Sequence, residues 1–326
     1  MRVGVTEDVR GADGRPVYDL SPLDEAEGVE WEWMRGQGLL QPDDLAAYDA
    51  VVLFHPQLRA CSLAGVERLR LVARLGVGVD NIDVDACTAA GVLVTTTPDS
   101  VRRPLASGAL AFVLALAHRL PELDRHVRAG GWDRFAHVGV GLAGRTLAIV
   151  GLGNVGRELA RLAAPFDLRI VAADPFAAAP PVGVELRPLE AVLREADFLV
   201  VACPLTPETH HLLDAARLAL LKPTAYVVNV ARGPIVDGDA LAQALRSGRL
   251  AGAALDVFEQ EPVAPDDPLL ALDNVIVAPH AVALTDELFR LGGQSVSRAV
   301  LDVRAGRMPA YPLNPEAAPE LAPRAP

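Results

Sequence analysis

The chain reads as an α/β protein of two doubly wound domains, each built on a parallel sheet. Three observations lead there. Short apolar runs alternate with helical segments along most of its length. One such run, residues 146–150, enters a glycine turn spaced G-x-G-x-x-G at Gly151, Gly153 and Gly156. The chain has 326 residues, and one core commonly organises ~150, so two domains are expected.

In the first hundred residues, the runs at 3–5, 50–54, 71–75 and 92–95 are apolar without alternation. Strands buried on both faces of a parallel sheet have that pattern. Residues 28–34 alternate apolar and polar, which predicts a strand with one exposed face. Helices are expected near 58–68 and 82–90, and a long helical segment over 100–127 links this unit to the next. The most apolar part of that segment, 105–117, is interrupted by Ser107 and Gly108. It falls short of the ~18 residues of a membrane span and is expected as a buried helix.

Beyond the glycine turn, a helix is expected over 157–164. Strands follow at 169–173, 198–202, 225–230, 251–255 and 275–278. A helix over 285–305 is expected to fold back toward the first domain. The last twenty residues contain six prolines and many alanines, predicting an extended or disordered tail. The domains so drawn are 1–99 with 285–310, then 100–284, followed by a tail at 311–326.

Composition narrows the possible partners. The 51% hydrophobic content is ample for buried cores. Thirty basic against 42 acidic residues leave a net charge of −12, which disfavours nucleic acid or an anionic membrane as a general partner. Cys61, Cys87 and Cys203 are scattered without a C-x-x-C spacing, as expected of a reducing, cytoplasmic compartment. The first residues open as a strand with no apolar leader segment, and the chain ends too early for an appended regulatory domain.

The glycine turn carries the first chemical signal. Its glycines permit a tight turn, close backbone approach to a pyrophosphate and close helix–strand packing, with the phosphates on the helix N-terminus. A second strand, 169–173, ends in Asp174, eighteen residues after Gly156, where a carboxylate can accept both ribose hydroxyls of an adenosine. A 2′-phosphate would meet that carboxylate, and residues 175–181 contain no Arg or Lys to offset it. NAD is therefore expected rather than NADP.

A wider pattern accompanies the turn. Asp174, Cys203, Arg232, Asp256, Glu261 and His280 each fall at or just past the end of an expected strand. In an open parallel sheet those ends share one edge, where ligands bind. Hydride transfer to or from a hydroxyl-bearing carbon needs a proton donor and acceptor, and His280 is the candidate. Glu261 is the candidate to hydrogen-bond the far ring nitrogen and fix the tautomer. Arg232 offers a planar fork for a carboxylate and can polarise a neighbouring carbonyl.

These residues lie in stretches that resemble the D-isomer-specific 2-hydroxyacid dehydrogenases over roughly residues 50–310. The matching motifs are Gly-Val-Gly-Val-Asp-Asn-Ile-Asp (76–83), the glycine turn, Cys-Pro-Leu-Thr-Pro-Glu-Thr (203–209) and Asn-Val-Ala-Arg-Gly (229–233). Leu-Asp-Val-Phe-Glu-Gln-Glu-Pro (255–262) and Ala-Pro-His (278–280) complete the set. The resemblance implies two Rossmann-like domains around a cleft that closes on ligand, and a homodimer gripping through the 100–127 region. It implies a catalytic set of Arg232, Glu261 and His280. NAD would be held by Gly151, Gly153, Asn154, Val155, Gly156, Asp174, Cys203, Pro204, Thr209, Val230, Ala231 and Asp256, the last at the nicotinamide carboxamide. The substrate carboxylate would be held by the backbone of Val77 and Gly78, together with Arg232.

Two departures from the family pattern bear on the pocket. The family commonly has small residues, often Gly-Gly or Ala-Gly, at the second and third positions after the histidine; here they are Val282 and Ala283, with Leu284 next and Thr285 back in register. The linking helix often carries Ala-Glu-His in the family, whereas this chain has Ala106-Ser107-Gly108. The expected activity is interconversion of a small 2-oxo acid and its D-2-hydroxy acid, like glyoxylate or hydroxypyruvate reductases. Phosphoglycerate oxidation and a non-catalytic dinucleotide sensor are the alternatives. His55 is a candidate substrate contact. Arg74, Arg102 and Arg103 are candidate anion binders, more readily read as solvated surface. His210 and His211 are expected on the surface, His118, His126 and His137 lack a ligand spacing, and no metal is proposed.

Overall fold

The computed structural model describes residues 1–321. It forms two compact units: Met1–Val101 with the segment that begins at Thr285, and Arg102–Leu284.

The first unit is a five-stranded sheet of β1 (Arg2–Thr6), β2 (Glu30–Met34), β3 (Ala50–Leu53), β4 (Leu71–Arg74) and β5 (Leu93–Thr95). All pairs are parallel, in the order β2-β1-β3-β4-β5. Strands β3 and β5 are buried along their whole length, whereas β2 alternates at the sheet edge as its sequence pattern requires. The strand order reverses beside β1 and β3, so their C-terminal ends form this unit's switch point. Asp8 and His55 lie just past those ends.

One sequence expectation fails in this unit, and another is decided between its two alternatives, each for a tertiary reason. No helix covers 58–68; only a 3-10 turn, Ala60–Leu63, forms there. Leu58 is held extended instead, donating to Asn81 O and accepting from Asp83 N at 2.8 Å each. The tail is neither free nor disordered as far as it is described. Pro312 bridges Thr95 in antiparallel fashion, and Leu313 N donates to Val94 O at 2.9 Å. Asn314, 1% exposed, accepts Val94 N at 2.7 Å and donates to Val92 O at 3.0 Å and to Thr88 Oγ1 at 2.9 Å. The last strand of an open sheet leaves unpaired backbone groups, and the tail supplies their partners. Residues 322–326 of the predicted tail lie outside the described residues. The helix Asp286–Arg304 also belongs to this unit and is capped by Thr285, whose Oγ1 accepts Leu288 N at 3.2 Å.

The second unit is a seven-stranded parallel sheet: β6 (Thr146–Val150), β7 (Arg169–Ala173), β8 (Val184–Leu186), β9 (Phe198–Val201), β10 (Tyr226–Asn229), β11 (Gly252–Leu255) and β12 (Val275–Val277). Its order is β12-β11-β10-β9-β6-β7-β8, with the reversal at β6 and β9. Short β8 carries no clear apolar run and was not legible in the sequence.

The linking segment is two helices, Pro98–Ala117 and Leu120–Arg128, rather than one over 100–127. Pro121 has no N–H to offer the Ala117 carbonyl, which accepts Val140 N at 2.8 Å instead, and Arg119 takes φ +52 at the break. The first helix is long and apolar enough by composition to cross a membrane. However, Ala106, Ala109, Val113 and Ala117 are fully buried against Leu147, Ile149 and Phe198. It is a core helix.

Candidate active site

The three glycines after β6 differ in what they answer to. Gly151 sits at φ +97, and a Cβ there would lie 2.5–2.7 Å from the backbone of Ala202 and Cys203. A Cβ at Gly156 would lie 2.1 Å from Gly151 O. The chain's own packing therefore demands both. A Cβ at Gly153 would meet nothing within 4 Å, so the protein itself does not require glycine there. The helix Asn154–Ala163 starts at that point with no side-chain cap and no acidic residue in its first turn. Open space in front of the uncapped amides of Asn154, Val155 and Gly156 fits a pyrophosphate. The helix begins three residues earlier than its apolar pattern indicated.

Asp174 follows β7 and leans over the same turn. Its Oδ2 accepts Leu152 N at 2.7 Å and its Oδ1 accepts Phe176 N at 2.8 Å. Arg157 reaches the 175–181 segment from the helix, donating through Nη2 to Ala179 O at 2.9 Å. Asp174 and the open turn fit the adenosine half of NAD.

Along the rest of the edge, Cys203 and Pro204 follow β9. Burial pushes the Cys203 thiol up to about 11, aided by the nearby Asp174 charge, so it is protonated at neutral pH. Thr209 closes the loop that starts there, its hydroxyl donating to Pro204 O and accepting Thr206 N at 2.7 Å each. After β10, Val230 is buried and Ala231 N donates to Asn229 Oδ1 at 3.1 Å. Asn229 Nδ2 donates to Arg232 O at 2.9 Å, so this buried asparagine shapes the turn that presents Arg232. Arg232 Nη1 donates to Ala231 O at 2.7 Å.

His280 and Glu261 come together. Nδ1 of His280 lies 2.8 Å from Oε2 of Glu261, and Glu261 Oε1 accepts Phe258 N at 3.0 Å. Burial opposes the carboxylate, but the hydrogen bonds from His280 and Phe258 and the charges of His280 and Arg232 outweigh it. The Glu261 carboxyl is held below its ordinary range. With Nδ1–H given to the carboxylate, Nε2 is the nitrogen left for a substrate proton.

Asp256 has a part that the spacing did not reveal. It is 2% exposed, and its Oδ1 accepts Ala281 N at 2.8 Å and Val282 N at 3.0 Å. His280 N donates to Asp256 O at 2.8 Å. Asp256 therefore anchors the turn that carries the histidine. A bond between residues 25 apart leaves no trace in a local pattern.

The remaining candidates divide. Val77 and Gly78 lie in the first unit on the loop after β4, and among the described residues neither backbone amide donates to another group. Arg74 is not solvated surface. It is half-buried, donates through Nε to Gly78 O at 3.0 Å and stacks 5.3 Å from the Phe54 ring, bracing that loop. Arg103 pairs with Glu158 at 3.0 Å. His55 Nδ1 lies 3.0 Å from Asp8 Oδ2, beside a 610 Å³ cavity within the first unit. His210 is exposed; His211 is half-buried, and its hydrogen bond to Glu259 at 3.0 Å raises its pKa. Among the described residues no three His, Cys, Asp or Glu side chains are grouped to hold a metal ion.

Comparison with known proteins places this geometry. The sequence profile of the D-isomer specific 2-hydroxyacid dehydrogenase NAD binding domain matches residues 110–282. A glyoxylate reductase of Korarchaeum cryptofilum is 43% identical over 256 residues, 76% of this chain and 77% of that one. A D-3-phosphoglycerate dehydrogenase of Mycobacterium leprae is 43% identical over 247 residues, 75% of this chain but 47% of that enzyme, so the match spans about half of it. The crystal structure of the TT0316 protein of Thermus thermophilus superposes with a TM-score of 0.85 at 34% identity, covering 96% of this chain and 100% of that one.

Proposed function

Because the chain belongs to the D-isomer-specific 2-hydroxyacid dehydrogenase family, we propose that it reduces a small 2-oxo acid of the glyoxylate or hydroxypyruvate class to the D-2-hydroxy acid. It is an NAD-dependent oxidoreductase. The observation that carries the reaction type is the 2.8 Å pairing of His280 with Glu261 on the sheet edge that also holds Arg232 and the glycine turn, and the likeness to glyoxylate reductases supports the substrate class.

NAD, when bound, supplies the hydride carrier. The proposed work of the chain is proton transfer and binding. His280 Nε2 gives a proton to the substrate oxygen in reduction and takes it back in oxidation, while Glu261 keeps the ring oriented. Arg232 takes the carboxylate and polarises the adjacent carbonyl. On the first unit, the backbone amides of Val77 and Gly78 are the proposed donors for the carboxylate. Asp256, through its second carboxylate oxygen, is proposed at the carboxamide.

Phosphoglycerate oxidation is the second reading, favoured by the 43% identity to the M. leprae enzyme. Against it, Arg74 and Arg103 are already engaged within the chain. A homodimer is proposed as the assembly, supported by Trp132 and Phe135, exposed at 76% and 82% just after the linking helices. Three free cysteines support a reducing, cytoplasmic setting.

The test is a panel of NADH oxidation assays with glyoxylate, hydroxypyruvate, pyruvate and bulkier 2-oxo acids, with NAD reduction by 3-phosphoglycerate alongside. Turnover of the small 2-oxo acids is expected. NADH binding without turnover of any acid would favour the sensor instead.

A further inference from the structure

The two departures from the family pattern touch each other. Gly108 lies on the helix Pro98–Ala117, and Val282 lies two residues past His280. A Cβ built at Gly108 would come within 2.7 Å of Val282 Cγ2, 3.2 Å of Cγ1 and 3.0 Å of Val282 O. The valine fills the room that a side chain at 108 would take. A large residue beyond the histidine and an absent side chain on the helix are thus one exchange of volume, made in two places far apart in the chain.

The turn bearing His280 needs such support. His280 adopts φ +53, a left-handed conformation that L side chains rarely hold unless their surroundings impose it. Asp256 imposes part of it, through its carbonyl to His280 N and through Oδ1 to the amides of Ala281 and Val282. Those bonds fix the backbone at the start of the turn. The Val282 side chain fixes its far end, packed with the core of the second unit and seated on Gly108.

We propose that Gly108 and Val282 are a matched positioning pair that sets the direction of the His280 ring. The proposal rests on the reading of His280 as the proton-transfer group. Both act through the turn. Overpacking at this contact displaces the valine, and the displacement passes to the histidine two residues away.

The experiment is steady-state reduction of the best 2-oxo acid by Gly108→Ala, Val282→Ala and the double variant, each also made in a His280→Ala background. Gly108→Ala is expected to lower kcat about tenfold, since small misplacements of a catalytic group are costly, while the KM for NADH moves less than about twofold. The overpacking also costs stability, so thermal midpoints are measured for every variant and kcat is compared at a temperature where all are folded. Val282→Ala, which frees the turn without crowding it, should lower kcat by a smaller factor. The double variant, in which the two γ-carbons of Val282 are removed to admit the one added at 108, should recover kcat above that of Gly108→Ala. In the His280→Ala background, Gly108→Ala should change kcat by less than about twofold, because the group being positioned is gone.

Wild-type kcat in both single variants overturns the proposal. So does a double variant no better than Gly108→Ala, or a Gly108→Ala loss that persists undiminished without His280. Failure of the underlying reading is seen separately, as wild-type turnover by His280→Ala alone.

Discussion

Glu261 holds His280 with one carboxylate oxygen and the Phe258 amide with the other, at 2.8 and 3.0 Å. The carboxylate is thus fixed at both ends before it orients anything. Its pKa in the folded protein lies below the ordinary 4.5, so the carboxyl is ionised above that value and takes up a proton only as pH falls through the lowered one. Glu261→Gln keeps the shape and removes the charge. From about pH 8 down to about pH 5 Glu261 stays ionised, so Glu261→Gln should lower kcat throughout that range and match the wild type only below it. Wild-type kcat for Glu261→Gln across that range would mean that the carboxylate charge does nothing for His280.

His280→Ala removes the imidazole that Glu261 holds. Turnover should fall by about 10²–10⁴-fold, the usual contribution of a positioned acid–base group, with NADH binding by fluorescence titration nearly unchanged. A variant turning over at the wild-type rate would take the proton-transfer role away from His280.

Asp174→Ala acts at the opposite end of the coenzyme. Losing a charged acceptor for the ribose should weaken NADH about tenfold or more. It should also narrow the preference over NADPH, because Arg157 already reaches the 175–181 segment. Kd values for the two coenzymes decide it, and an unchanged preference would place the ribose elsewhere.

Asn314→Ala tests the tail as structure. It strands the buried Val94 N–H and Val92 carbonyl, each costing ~1–3 kcal/mol, so stability of the first unit should fall by about 2–6 kcal/mol. Urea unfolding followed by circular dichroism reads the shift, and an unmoved midpoint would mean that the tail does not support β5.

Much of this molecule was readable residue by residue. Apolar runs without alternation marked buried parallel strands, the spacing of Gly151, Gly153 and Gly156 marked the turn, and the residues past each strand end marked the edge. Such signals are local: periodicity, a glycine's missing side chain and a strand's last residue are all written within a few positions. Two helix boundaries escaped because they answer to remote partners. The chain breaks near Pro121 once the Ala117 carbonyl has found Val140, and 58–68 forms only the 3-10 turn Ala60–Leu63 because Leu58 bonds to Asn81 and Asp83.

The choice of partners across the fold belongs to packing. The chain order names a histidine, a carboxylate and an arginine, but only folding puts His280 on Glu261, nineteen residues away, and hangs its turn on Asp256. Only folding seats Val282 on Gly108, and binds Asn314 to a strand 220 residues earlier. A buried donor or a filled volume is satisfied by whatever the compact state brings beside it, and sequence distance has no say in that.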